Sequence, residues 1–76
     1  MPVNVMAFGS VTDVMGESIQ LEHVQDTDAL MLELNKRFPA LKNSKFLVAV
    51  NRKMINKNTT LNGNDTVALM SPFSGG

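Results

Sequence analysis

An α+β domain in which a mixed sheet wraps one main helix is the fold class this sequence predicts, on three observations. One helical stripe runs through Leu30, Leu34 and Phe38 at intervals of four. Apolar runs of strand length flank it on both sides. The order is strand, strand, helix, strand, short strand, strand, with no internal repeat and no linker.

Val3 to Phe8 reads as the first strand, with Val3, Val5 and Ala7 on one face and Asn4, Met6 and Phe8 on the other. Gly9-Ser10 ends it. Val11, Val14 and Met15 have helical spacing, so Val11 to Gly16 is expected to form one helical turn or a folded loop. Ser18 to Glu22 then alternates, with Ile19 and Leu21 inward, and two strands this close should pair as a hairpin. Asp26-Thr27-Asp28 supplies capping oxygens and negative charge at the start of the helix. Glu33 precedes Arg37 by four residues, the favourable order for an exposed ion pair, and Pro39 disfavours helical geometry at Phe38.

Beyond the helix, Phe46-Leu47-Val48-Ala49-Val50 is a continuous apolar run, expected to be a central strand covered on both faces. Asn51-Arg52-Lys53 turns the chain, Met54-Ile55 is a short edge strand, and Asn56 to Asn64 is a polar loop. Thr66 to Met70 is the last strand, with Val67 and Leu69 toward the helix and Ala68 and Met70 outward. Domain organisation follows: one domain over residues 1–70 and a flexible tail over 71–76.

Composition narrows the function. At 76 residues there is room for one core and none for a separate catalytic domain. Lys plus Arg equals Asp plus Glu at 7 each, so no charge footprint points to nucleic acid or an anionic membrane. The chain has no cysteine, which removes disulfides, thiolate metal sites and a cysteine nucleophile. No apolar run approaches membrane-spanning length and no signal segment opens the chain, so a cytoplasmic location is expected. His23, the single histidine, reads as a solvated surface residue, and no metal site is expected. Arg52 and Lys53 read as a solvated turn that has a lesser claim to touch an acidic partner. Most of the six methionines should fill the core, but Met6 and Met70 share outward parity with Phe8.

Chemistry is expected at the Gly75-Gly76 terminus, where two residues without Cβ atoms make a slim, flexible probe. Ser74 keeps the approach small and polar, Pro72 restricts the tail before it threads a partner, and Phe73 is an apolar anchor. Outward-facing Phe8 and Met70, extended by Phe73, are expected to form a docking patch.

The order of elements fits the ubiquitin-like β-grasp fold. Val48-Ala49-Val50-Asn51, then Leu61-Asn62-Gly63-Asn64-Asp65-Thr66-Val67-Ala68-Leu69, then Pro72-Phe73-Ser74-Gly75-Gly76 resembles the small, sulfur-carrying subunit of molybdopterin synthase. Two positions differ from that family's pattern. Asn64 stands where a glycine usually precedes the aspartate, and Ser71 stands in place of the first of two prolines. Asparagine tolerates positive φ, so the turn should survive.

The resemblance implies that the Gly76 carboxylate is adenylated by an enzyme similar to ubiquitin-activating enzymes, which uses ATP, and is then thiocarboxylated. It further implies sulfur donation to a pterin precursor in the large catalytic subunit, within a heterotetramer, for molybdenum cofactor biosynthesis. The chain itself would bind no cofactor and would be the sulfur-donating, non-catalytic member of that complex. Other readings are a carrier for thiamine or another sulfur-transfer pathway, a ubiquitin-like modifier of lysines, and a plain binding module.

Overall fold

The computed structural model describes residues 2–43 and 45–71. Strand β1 spans Val3–Phe8, a short 3-10 turn over Gly9–Val11 leads into a one-turn helix α1 at Thr12–Met15, and β2 spans Ser18–Leu21. The main helix α2 covers Thr27–Arg37, followed by a 3-10 turn at Pro39–Asn43, and then β3 (Leu47–Val50), β4 (Lys53–Ile55) and β5 (Thr66–Met70). The five strands form one mixed sheet in the order β2-β1-β5-β3-β4. β1 and β5 run parallel, with Val5 opposite Val67 and Ala7 opposite Leu69, and every other neighbouring pair is antiparallel.

Alternation along each strand separates the two faces as expected. Val3, Val5, Ala7, Leu21, Val50, Val67 and Leu69 are buried on the helix side, with Val48 and Ile19 packed against them. Leu30 and Leu34 of α2 have no exposed surface, and Phe38 is partly buried against the same core. Leu41 and Leu61, which carry no periodic signal, are also buried in this core.

The start of α2 is fixed twice. Asp26 caps it, its side chain accepting the Ala29 N–H at 2.8 Å. Buried Thr27 is clasped by the polar loop: its backbone N–H donates to the Thr59 carbonyl and its Oγ1 accepts the Thr59 N–H, both at 2.9 Å. Asn58 Oδ1 accepts from Thr27 Oγ1 and from the Asp28 N–H. The loop after β4 is therefore anchored by α2. At the other end Glu33 and Arg37 pair at 3.0 Å, and the helix stops before Pro39. Gly16 ends α1 with φ 81, a left-handed conformation that costs glycine nothing and lets the chain enter β2.

Four expectations are corrected. β3 lies inside the sheet, between β5 and β4, but it is not covered on both faces. β3 begins at Leu47, which is 45% exposed because β4 is too short to reach it; the β4 pairings start at Val48. β2 ends at Leu21 rather than Glu22. Among the described methionines only Met15 is buried, so most of them are not core filler.

Leu34→Ala should destabilise the domain by about 2 to 5 kcal/mol, because a side chain with no exposed surface leaves a cavity between α2 and the sheet. Chemical denaturation of the two proteins side by side checks this.

Candidate functional site

Registers across the sheet build the outward face row by row. Toward the start of β5 lies a polar row of Gln20, Asn4 and Thr66, in which Gln20 Nε2 donates to Asn4 Oδ1 at 2.9 Å. Next comes a row with Met6, Ala68, Ala49 and Met54 in successive pairings. Phe8, Met70 and Leu47 form the third row, nearest the end of β5. Two alanines thus sit between two methionines, and the small residues make a floor that longer side chains wall in.

The result is a groove of about 590 Å³ on the face opposite the helix, lined by Met6, Phe8, Ala49, Met54, Ala68 and Met70, with Asn51, Arg52 and Thr66 at its polar end. Met6, Phe8 and Met54 are 39%, 45% and 52% exposed, so unbranched or aromatic side chains meet solvent around a floor of two alanines. These exposed apolar side chains gathered in one groove make it the candidate contact surface, and methionines adapt to more than one partner shape.

Phe8 and Met70 are register partners on adjacent parallel strands, so the structure brings these two sequence-predicted residues together. Phe8 is exposed and Met70 half-buried. Pro72, Phe73, Ser74, Gly75 and Gly76 lie outside the described residues, so the tail, including the extension of the patch by Phe73, carries no structural description. Ser71 is buried, and the packed chain therefore extends one residue past Met70 into the segment assigned from sequence to the tail. Sequence reasoning missed Met54 and Ala49. A three-residue strand shows no alternation of its own, and only the Ala49–Met54 pairing puts Met54 on this face.

The polar end is held by a compact hydrogen-bond set. Asn51 Nδ2 donates to Asp65 Oδ1 at 3.0 Å, while Asn51 Oδ1 accepts the Thr66 N–H at 3.0 Å. Asp65 Oδ2 accepts the Asn62 N–H at 2.8 Å. One carboxylate thus ties the β3–β4 turn to the turn that opens β5. The Asn51 hydrogen bond, and after it the Asn62 N–H, hold the Asp65 carboxyl below its usual range, opposed by slight desolvation. Asn64 takes φ 71 in the turn, as expected of asparagine in place of glycine. His23 also has positive φ and is exposed, and among the described residues no three His, Asp or Glu side chains gather to hold a metal. No helix among them is long and apolar enough to cross a membrane.

Comparison with known proteins bears on this arrangement. The ThiS family profile matches residues 5–76, from the first strand to the double glycine. The chain belongs to the ThiS family. It is a ubiquitin-like sulfur carrier with the β-grasp fold. Among solved structures similar to this ThiS-family chain is the complex of subunits 1 and 2 of the molybdopterin-converting factor from Helicobacter pylori 26695. There the matched chain is 28% identical, with all of both chains covered and a TM-score of 0.77. The small archaeal modifier protein SAMP1 of Methanosarcina acetivorans matches with a TM-score of 0.82 at 22% identity, over 99% of this chain and 96% of that one. Urm1 of Trypanosoma brucei matches at 0.72 and 22%, over 99% and 95%. The last two likenesses are likenesses of fold.

The Asp65 carboxylate sets a pH dependence. Its folded-state pKa is lowered, so its contribution to stability is complete above the unfolded-chain value of about 3.9 and is lost as pH falls through the lower folded value. Asp65→Asn should therefore melt below the wild type at neutral pH, with the gap closing under acid below about pH 4. Thermal melts across that range check it.

Proposed function

We propose that this chain is the sulfur-carrying small subunit of a molybdopterin synthase. The observation that carries the proposal is the end-to-end match, at 28% identity, to a chain from the molybdopterin-converting factor complex of two subunits. The apolar groove opposite the helix suits such a subunit, since a carrier needs a docking surface that leaves its terminus free to enter the partner.

In this reading the Gly76 carboxylate oxygen attacks the α-phosphorus of ATP in an activating enzyme similar to ubiquitin-activating enzymes. Pyrophosphate leaves and an acyl-adenylate forms. A sulfide or persulfide sulfur then adds to the carbonyl and expels AMP, giving the thiocarboxylate once any persulfide S–S bond is reduced by a thiol. The chain next docks on the large subunit through Phe8, Met54 and Met70, with Phe73 continuing the contact, and the terminal sulfur displaces an oxygen substituent on a carbon of the pterin precursor; water then cleaves the carbonyl–sulfur bond, leaving the sulfur on the pterin and returning the Gly76 carboxylate. Gly75, Ser74 and Pro72 serve the threading: the first two by small size, the third by restricting the unbound tail.

A second reading, a carrier for the thiamine or another sulfur-transfer pathway, is supported by the family match itself. Intact-mass measurement after incubation with an activating enzyme, ATP and a sulfur source should show exchange of one oxygen for sulfur under either reading. Adducts on lysines would indicate a protein modifier instead. Supplying the thiocarboxylated chain to the large synthase subunit, and separately to a thiazole-forming enzyme, then distinguishes the two carriers.

Deleting Gly76, or adding a residue after it, should abolish dithiolene formation by the reconstituted synthase, because misplacement of the reacting carbonyl by even about 1 Å can lower a rate about a hundredfold. Gly75→Val should reduce transfer by adding branched bulk to the threaded segment. Full activity from the chain lacking Gly76 would refute the carrier mechanism. Phe8→Ala should weaken association with the large subunit by about tenfold or more while changing stability by under about 1 kcal/mol, since the side chain is half-exposed and outside the core. Calorimetric titration and thermal melts give both numbers.

A further inference from the structure

The hairpin joining β3 to β4 has a two-residue loop, because Val50 pairs directly with Lys53 and leaves Asn51 and Arg52 between them. Both have positive φ, 51 for Asn51 and 72 for Arg52. Such tight loops call for left-handed conformations at both central positions, with Asn-Gly the preferred pair. Asn51 is the expected residue at the first position, and its side chain also binds Asp65 and the Thr66 N–H. Arg52 occupies the position that glycine fills most easily, and a Cβ there is strained.

Among the described residues no side-chain contact of Arg52 offsets that strain. Among the described residues Arg52 has neither a hydrogen-bond nor an ion-pair partner for its side chain, in contrast to Arg37, which is held by Glu33. The tight hairpin accounts for the left-handed backbone, but it does not account for an arginine at a position where glycine would be unstrained. Arg52 lines the groove with Phe8, Met54 and Met70, and it is the groove's single charged residue. A cation at one end of an apolar groove that supplies no carboxylate is complementary to an acidic group brought by a partner.

We propose that Arg52 is a specificity-determining contact of the groove, engaging an Asp or Glu side chain of the large synthase subunit. The inference rests on the sulfur-carrier reading for its partners and adds to it the polarity of the docking surface. Phe8 and Met70 take apolar side chains where β5 ends. Arg52 takes a carboxylate near Thr66, about 13 Å back along the strand at the usual rise per residue. The planar guanidinium fork favours a two-oxygen acceptor, so lysine is a poor substitute. Neighbouring Lys53 is exposed but does not line the groove, because it alternates with Met54 onto the other face of β4; it is a built-in control for net charge.

The experiment measures binding of the full chain to two purified proteins from the same organism, the large subunit and the activating enzyme, at low and high salt. The variants are Arg52→Gly, Arg52→Glu, Arg52→Lys and Lys53→Glu. Arg52→Gly should melt no lower than wild type, because relief of the left-handed strain offsets glycine's added freedom in the unfolded chain. It should nevertheless bind the large subunit about tenfold more weakly and lose most of the salt dependence of that binding, whereas a loss confined to the activating enzyme would overturn the assignment. Arg52→Glu should be weaker still, Arg52→Lys intermediate, and Lys53→Glu close to wild type. Unchanged binding by Arg52→Gly overturns the inference and leaves the carrier reading in place, as does an equal loss from Lys53→Glu, which would reduce the effect to net charge. A clear drop in the melting temperature of Arg52→Gly would overturn it too, by giving Arg52 a structural reason to be there. If the wild-type chain binds neither protein, the carrier reading fails first and the inference falls with it.

Discussion

The parallel pairing of β1 with β5 is the constraint on which the remaining structure depends. It places the last strand between the first and the third, so that β5 has partners on both sides and Val67 and Leu69 lie fully buried under α2. Once that position is fixed, alternation leaves no freedom: Ala68 and Met70 must face away from the helix, beside Met6 and Phe8 on one side and Leu47 and Ala49 on the other. Core and groove are two sides of one register. A shift of one residue between β1 and β5 would send valines to solvent and methionines under the helix.

Elements whose signal is local were legible in the sequence. The stripe of Leu30 and Leu34, the Asp26 cap, the Glu33–Arg37 pair and the stop before Pro39 all follow from spacing within α2. The faces of β1 and β5 followed from alternation, which is why Phe8 and Met70 were found from sequence. Strand order was not legible in the same way. The unbroken run from Phe46 to Val50 suggests burial on both faces, yet periodicity reports how apolar a strand is and not which strands flank it. Leu47 is exposed because β4 stops short of it, a fact of another segment's length.

The clasp at Thr27 was hidden for a related reason. Nothing in the local sequence links Thr27 to Asn58 and Thr59, and only the return of the polar loop across the helix start brings them together. The place of Met54 and the backbone of Arg52 were likewise hidden: a three-residue strand has no pattern to read, and a left-handed arginine is visible only when Val50 and Lys53 are known to pair. The contacts that give the groove its shape come from pairing between distant segments, whereas the contacts that form the helix come from neighbours in sequence. The site was therefore half visible from a single chain.

The central position of β5 also governs what an incomplete chain would look like. Because the partner of β1 is separated from it by most of the sequence, closing the sheet carries the entropic cost of a long loop. Until Thr66 to Met70 inserts, β1 and β3 each present an open edge of unpaired peptide groups flanked by Val5 and Val50, side chains that favour strand pairing. A polypeptide released before that segment is made has two adhesive borders and no strand to separate them, which favours association between copies over folding alone. The same strand that lines the groove thus also seals the sheet, separating two edges that would otherwise be free to pair between copies.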